Sequence, residues 1–247
     1  MSATDPLLVY ALVLAIGTFA GLVSGIVGTG ATIILLPVLS LTFGPKAAIP
    51  VMAIVALMSN VAKVTAWWRE IDWRATAAYA LGGIPGAALG AHTMLSLPPR
   101  AVDLVLGAFF LLMIPGRRWL AARAYKIGPA VMVPIGLAVG FLTGIVVSTG
   151  PISVPVFSSY GFVKGAFIAT EAAGSLAIYI SKAITFRTLG ALPTELLAQG
   201  LITGSSVMAG TYLAKRLVAR LSVTTFQNLL DVVMLVSGVS LLCAAFA

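Results

Sequence analysis

The sequence predicts an all-α integral membrane protein made of two inverted repeats, each a broken helical hairpin followed by three transmembrane helices. Three observations lead to this prediction. The composition is strongly apolar, the first apolar segment is interrupted by glycines, and the glycine pattern of the first half returns in the second. Together they describe a chain that must satisfy its backbone hydrogen bonds inside a lipid bilayer.

The composition excludes an ordinary soluble domain. Of the 247 residues, 60% are hydrophobic and 9% are charged, and the mean hydropathy is +1.09. Long apolar stretches recur from end to end, so a single membrane domain over residues 1–247 is predicted, surrounded by lipid. One cysteine and one histidine exclude an internal disulfide and a Cys/His metal cluster, and no metal or cofactor is expected.

The first apolar segment runs from Leu7 to Phe43 and contains the stretch GIVGTGATIILLPVL at residues 25–39. As one helix it would be roughly 55 Å long at a rise of about 1.5 Å per residue. The hydrocarbon core of a bilayer is only about 30 Å thick. Two arms over 7–24 and 31–43 remove this mismatch if the chain turns at the glycines and returns to the side from which it entered.

A repeat of 119 positions follows from the glycines. The GxxxGxxxG series of the first half and its copy are Gly17, Gly21 and Gly25, then Gly136, Gly140 and Gly144. Each series runs into a polar break, GTG at 28–30 or STG at 148–150. The repeat predicts halves at 7–116 and 128–246, joined by a basic linker at 117–127, and the GxxxG series are expected to pack helices closely.

Later positions extend the repeat. Lys63 and Lys182 are also 119 positions apart, and the sequence pairs Gly82 and Gly86 with Gly200 and Gly204 at an offset of 118. The second hairpin is expected to have arms near 128–147 and 151–161. The remaining predicted spans are 47–67, 75–95 and 102–116 in the first half and 165–185, 194–213 and 223–246 in the second. Because three crossings is an odd number, the second half enters from the opposite side, and the repeat is inverted.

The distribution of positive charge predicts how the spans are oriented in the membrane. The net charge is +8, and ten Lys or Arg residues fall on one predicted face against three on the other. The positive-inside rule assigns the richer face to the cytoplasm and both termini to the outside. The charge therefore reports topology in the plasma (inner) membrane, crossed several times, and no nucleic-acid partner is expected. The sequence leaves open whether the chain forms a homo-oligomer.

The two breaks are the predicted binding site for a small anion. Glycine lets backbone approach a ligand closely, and the arms that begin after each break offer unpaired N–H groups and a positive dipole end. Inverted repeats with discontinuous helices are typical of secondary transporters. The predicted anion ligands at the breaks are Gly28, Thr29, Gly30, Thr32, Ser148, Thr149, Gly150 and Ser153.

The same residues resemble a known family. The pattern GxxxGxxGxGGxxxxxP is matched by Gly21, Gly25, Gly28, Gly30 and Pro37, with Ala31 where the family usually has glycine. The pattern GxxxGxxxxTGPxxxP of the second half is matched by Gly140, Gly144, Thr149, Gly150, Pro151 and Pro155. Both are similar to motifs of the TauE/SafE family of sulfite exporters and related anion permeases. The resemblance implies export of sulfite or of a small organosulfonate.

Ionisable residues inside the predicted spans are further candidates, since each costs about 2.5 to 3.5 kcal/mol at a helix centre. Lys63 and Lys182 either attract the anion at the two mouths of the pathway or extend to the nearer interface. Asn60 and Tyr179 lie about one turn before them and could add hydrogen bonds. Two acidic residues, Glu171 and Asp231, either pair with a lysine or carry a coupled proton.

These observations favour a secondary transporter that exports a small sulfur oxyanion through a site between the breaks. An anion channel, or a coupled uptake permease for another small anion, would use the same features. An intramembrane enzyme is disfavoured, because the sequence has no recognisable pairing of a nucleophile with a base and no metal motif.

Overall fold

The structure is a computed structural model that describes residues 6–27, 31–122, 128–146 and 164–217, with short stretches between 152 and 162 and between 231 and 246. Eight helices of 13 residues or more occupy these ranges. They are α1 (Pro6–Val27), α2 (Ala31–Phe43), α3 (Pro45–Ala66), α4 (Trp73–Ser96), α5 (Pro99–Ala122), α6 (Pro129–Ile145), α7 (Lys164–Thr188) and α8 (Thr194–Leu217). A short 3-10 helix, Trp68–Glu70, joins α3 to α4.

The helical character predicted from composition is confirmed. The two apolar arms of the first hairpin appear as α1 and α2, which pack against each other, and α2 also packs against α3. The predicted turn at 28–30 lies outside the described residues. The largest difference in a boundary is at the end of α5, which continues to Ala122 and makes residues 117–122 of the predicted linker helical. Arg, Leu and Ala in that stretch are strong helix formers, which favours the extension.

The main helix contacts cross between the two halves of the chain. Helix α1 packs along α8, and α6 packs along α4. Helix α3 contacts α8, α7 contacts α4, and α3 and α7 contact each other. The structure therefore places the first helix of each half against the helix that follows the lysine-bearing helix of the other half.

Glycines set the distance at both long crossings. A Cβ atom on Gly140 of α6 would lie 2.8 Å from the Cα of Gly83 in α4, and one on Gly21 of α1 would lie 2.8 Å from the Cα of Val207 in α8. Real Cβ atoms do not approach backbone this closely. The close packing predicted for the GxxxG series is confirmed, and only glycine fits at these positions.

The contacts also correct the pairing of glycines in α4 and α8, the helices that follow the lysine-bearing helix of each half. Gly86 meets Leu137 and Phe141, whereas Gly210 meets Thr18 and Leu22, which lie 119 positions before those two residues. Gly86 therefore corresponds to Gly210 at an offset of 124, and the pairing with Gly204 at 118 is wrong. The first residues of α3 and α7 are 119 positions apart and those of α4 and α8 are 121 apart, so part of this change in register arises before α8 begins.

Large apolar side chains point outward while small ones lie inside. On α4, Leu81 is 69% exposed and Leu89 is 60% exposed, but the glycines between them are buried. In a helix of a soluble protein the large apolar side chains face the core, so this opposite arrangement suits a surface that faces lipid tails. By length and composition, Lys46–Ala66 and Gly165–Thr188 are able to cross a membrane, and Ala11–Gly25, Gly107–Gly116 and Pro129–Ile145 are shorter apolar helices.

The start of α4 is fixed by Asp72. Its carboxylate Oδ1 accepts hydrogen bonds from the backbone N–H of Arg74 at 2.9 Å and of Ala75 at 3.0 Å. Its own N–H donates to the hydroxyl of Thr170 in α7 at 3.0 Å. The cap therefore ties the first turn of α4 to α7.

Replacing Asp72 with alanine is expected to lower the free energy of unfolding by about 1 kcal/mol, because two N–H groups lose their acceptor. Asp72→Asn should stay close to the wild type, since asparagine caps equally well. Thermal unfolding of the two purified variants in detergent measures the difference. Equal stability of both variants would show that the cap does not hold α4.

Candidate functional site

Except for Asp231, the described members of the predicted site are buried, with exposed fractions from 0% at Lys182 to 6% at Thr32 and Tyr179. The other buried members of the predicted site are Ser153, Asn60, Lys63 and Glu171. Asp231 is half-buried. Six predicted ligands, Gly28, Thr29, Gly30, Ser148, Thr149 and Gly150, lie outside the described residues.

Lys63 and Lys182 lie near the C-terminal ends of two antiparallel helices, α3 and α7. Val64 at the end of α3 packs with Ala169 and Ala173 near the start of α7. Phe186 near the end of α7 joins the apolar cluster formed by the first part of α3. Lys182 follows Glu171 by eleven residues, which is about 16 Å along the helix axis at about 1.5 Å per residue.

Glu171 is the centre of a buried polar cluster. Its Oε1 accepts hydrogen bonds from the hydroxyls of Ser153 at 2.9 Å and Ser175 at 2.8 Å. The other oxygen, Oε2, is buried and has no hydrogen-bond partner among the described residues. The predicted residues Glu171 and Ser153 are thus brought together in one place.

Lys182 has a different environment. Its ammonium donates hydrogen bonds to the backbone carbonyls of Thr143 at 2.5 Å and of Val146 at 2.9 Å, at the C-terminal end of α6. It also lies 5.5 Å from the ring centroid of Phe186. A cation at this position satisfies carbonyls that no helical N–H can reach and complements the negative end of the helix dipole. Extension to the interface, one reading of the sequence, does not occur at this fully buried side chain.

Asn60 lies one turn before Lys63, and only one of the two polar atoms of its side chain has a hydrogen-bond partner among the described residues. Its amide group donates to the carbonyl of Ala56 at 2.9 Å, while its buried Oδ1 has no partner within the described part of the chain. Near it on α3, the hydroxyl of Ser59 lies 3.5 Å from the hydroxyl of Ser24 in α1. This part of α3 therefore presents polar groups toward α1.

Sequence reasoning missed Ser175, Thr143 and Val146. The signal for Ser175 was present, because a residue four positions after Glu171 shares its helix face. Thr143 and Val146 contribute only backbone carbonyls, which no side-chain pattern reveals. Their role depends on where α6 ends relative to α7.

The carboxylate cluster exists in only one of the two halves. At the repeat offset of 119, Glu171 corresponds to Met52, Ser153 to Ile34 and Ser175 to Ala56. Met52 is fully buried in the main apolar cluster. The two halves therefore differ here, because the first half has apolar side chains at the positions of the carboxylate and its two hydroxyl donors.

A helical protein with an apolar exterior, glycine-lined crossings and buried ionisable groups belongs to the class of membrane transport proteins. The family model of the sulfite exporter TauE/SafE matches residues 13–241, nearly the whole chain. The protein is a member of the TauE/SafE sulfite exporter family, and the resemblance seen in the glycine motifs is confirmed. No curated protein and no solved structure matches the chain.

Membership of this family makes the chain a membrane transporter for sulfite or a related anion.

Proposed function

We propose that this protein is a secondary transporter that exports sulfite or a small organosulfonate across the plasma membrane. The observation that carries the proposal is the match to the sulfite exporter family over residues 13–241. Buried positive charge supports an anionic substrate, because an ammonium inside a membrane protein requires a counter-charge. We place the anion between the two glycine-rich breaks, within reach of Lys63.

The proposal includes an inverted repeat, and the reciprocal helix contacts support it. Gly21 meets Val207 where Gly140 meets Gly83, and Gly25 meets Thr211 where Gly144 meets Ala87. In both cases the two glycines on α1 and α6 are 119 positions apart, and the residues that they contact on α8 and α4 are 124 positions apart. Exchange of equivalent contacts between halves is what a two-fold axis between them would produce.

The antiparallel arrangement of α3 and α7 supports the same axis, since these two helices are equivalent in the repeat and contact each other directly. A site at their interface would be reachable from either side as the two halves exchange conformations. Thr32, Ser153, Asn60 and Tyr179 are proposed to supply hydrogen bonds along this path.

Export of an anion needs no coupled ion. A monoanion leaving a cell with a negative interior gains about 2.3 kcal/mol per 100 mV of membrane potential. A dianion gains about twice as much by the same relation. The membrane potential alone therefore supports outward transport, which is why we favour export over uptake.

Purified protein in liposomes is expected to release radiolabelled sulfite with saturable kinetics. Gly30→Leu and Gly150→Leu should abolish this flux, because both breaks are proposed to contact the anion. Gly128→Leu is the matched control, since a Cβ atom there has nothing within 4 Å. Absence of protein-dependent flux for sulfite and for short sulfonates would overturn the proposal.

The same liposomes separate a transporter from a channel. A transporter saturates at slow turnover because each cycle includes a conformational change, whereas an open channel carries a measurable current. Saturable flux without single-channel current supports the transporter. Unitary currents carried by sulfite would instead assign the protein as an anion channel.

A further inference from the structure

The two buried lysines lie at equivalent positions of two helices that also begin at equivalent positions. Helix α3 begins at Pro45 and α7 at Lys164, which are 119 positions apart, as are Lys63 and Lys182. Only 4% of Lys63 and 0% of Lys182 is exposed. Because a buried ammonium is costly without hydrogen-bond acceptors, each lysine needs acceptors inside the protein.

The acceptors of Lys182 lie at the end of α6, directly before the second glycine-rich break. They are the backbone carbonyls of Thr143 and Val146. Helix α6 ends at Ile145, and the N–H of Val146 donates to the carbonyl of Leu142 at 2.7 Å. The last carbonyls of a helix have no N–H partner within the helix, and a buried end has no water to replace it. Lys182 supplies the donor that this helix end lacks.

The end of α1 repeats the end of α6. Ser24 and Val27 precede Thr143 and Val146 by 119 positions, and α1 ends at Val27. The carbonyls equivalent to the acceptors of Lys182 therefore lie at the C-terminal end of α1, directly before the first break. They have the same need for a donor, because they too are the last carbonyls of a helix.

One contact brings the end of α1 to the face of α3 that carries Lys63. The hydroxyls of Ser24 in α1 and Ser59 in α3 lie 3.5 Å apart. Lys63 follows Ser59 by four residues, so both side chains lie on one face of α3. A long side chain on a helix leans toward the preceding turn, which here is the turn of Ser59. Helix α1 also contacts α3 as α6 contacts α7. The stem of Lys63 therefore leads toward the end of α1.

We propose that Lys63 caps α1 as Lys182 caps α6, by donating hydrogen bonds to the backbone carbonyls of Ser24 and Val27. Each lysine is then a positioning residue that holds the helix end from which a glycine-rich break departs. The consequence for transport rests on the proposed function. The C-terminal end of a helix carries the negative end of its dipole and would repel an anion in the adjoining break, and a capping ammonium removes that repulsion.

Lys63→Met is expected to raise the rate of hydrogen exchange at the end of α1 at least about tenfold, because the last turn loses its donor and opens more often. The end of α6, still capped by Lys182, should keep its wild-type rate. Lys182→Met should give the opposite pattern. Hydrogen exchange followed by mass spectrometry, on purified protein in detergent without sulfite, makes this comparison.

Lys46→Met is the matched control, since it makes the same replacement at an exposed position in the first turn of α3. It should change the exchange rate at neither helix end. Wild-type exchange at the end of α1 in folded Lys63→Met would overturn the proposal, and so would equal fraying of α1 and α6 in that variant.

A distance measurement tests the cap without any change at Lys63. In protein labelled with nitrogen-15 at lysine Nζ and carbon-13 at serine carbonyls, the ammonium of Lys63 should lie about 4 Å from a labelled carbon, as a hydrogen bond requires. The acceptors of Lys182 carry no label, because they are a threonine and a valine. Ser24→Thr keeps the carbonyl but removes the label, so the short distance should disappear from rotational-echo NMR. Its absence from the wild type, or its persistence in Ser24→Thr, would overturn the cap.

Sulfite binding tests the consequence for transport. Lys63→Met and Lys182→Met should each raise the Kd for sulfite at least about threefold, because an uncapped helix end then faces the anion. Unchanged Kd values in variants with frayed helix ends would show that the caps do not serve the anion site. Wild-type protein that binds no sulfite would remove the proposed function, while the exchange and distance measurements, which use no sulfite, would still decide the cap.

Discussion

Gly140→Leu is expected to prevent the protein from folding. A Cβ atom at this position would lie 2.8 Å from the Cα and 2.9 Å from the carbonyl carbon of Gly83, so the obstacle is backbone and no side chain can rotate away. Overpacking a core typically costs about 1 to 3 kcal/mol. Here two whole helices would have to separate, and we expect a loss beyond the upper end of that range.

The measurement is the yield of monodisperse protein in detergent and, where enough is recovered, its thermal unfolding. Ala138→Leu introduces the same side chain on an exposed position of α6 and should behave like the wild type. Gly21→Leu should reproduce the defect at the crossing of α1 and α8, because its Cβ atom would meet the backbone of Val207. A well-folded Gly140→Leu protein would show that α4 and α6 do not cross at this residue.

Lys182→Met is expected to give the second largest effect. It preserves the length of the side chain but removes the donor that serves the carbonyls of Thr143 and Val146. A buried polar group left without a partner costs about 1 to 3 kcal/mol, and two groups are affected. Relief from burying a charge offsets part of this cost. We expect a net destabilisation of about 2 kcal/mol and a frayed end of α6.

Thermal unfolding and hydrogen exchange at the end of α6 test this expectation. Lys46→Met, at an exposed position in the first turn of α3, is the control and should change neither. If Lys182 bound the transported anion directly, its replacement would remove sulfite binding and leave the stability unchanged. That outcome would reverse the assignment of Lys182 as the cap of α6.

The sequence revealed the helices and the close crossings because both are encoded locally. Apolar length and the interval of four between Gly17, Gly21 and Gly25 are visible without any knowledge of the fold. The partner of each crossing is not visible, since Gly21 meets a residue in α8 and only the tertiary packing selects it. The glycine pattern of the sequence paired Gly86 with Gly204, whereas the helix contacts pair it with Gly210.

The candidate site was predicted in its residue types but not in its pairing. Glu171 and Lys63 were both recognised because an ionisable residue in an apolar span is costly. The helices that carry them, α3 and α7, lie antiparallel and in contact, an arrangement that depends on contacts between distant segments. Lys182 was expected either to attract an anion or to extend to the nearer interface, yet its ammonium donates hydrogen bonds to two carbonyls whose availability depends on where α6 ends.

The crossing of α1 with α8 has a consequence for how the protein is made. Helix α4 precedes α6 in the chain, so this pair can form as soon as α6 leaves the ribosome. The contact between Gly21 and Val207 cannot form until Val207 has been synthesised. The chain between them takes roughly 10 to 40 s to synthesise at about 5 to 20 residues per second. During that interval the glycine face of α1 has no α8 to cover it. A ribosome that stalls before α8 would therefore leave a nascent chain in which α4 and α6 are packed together while α1 still lacks its partner α8.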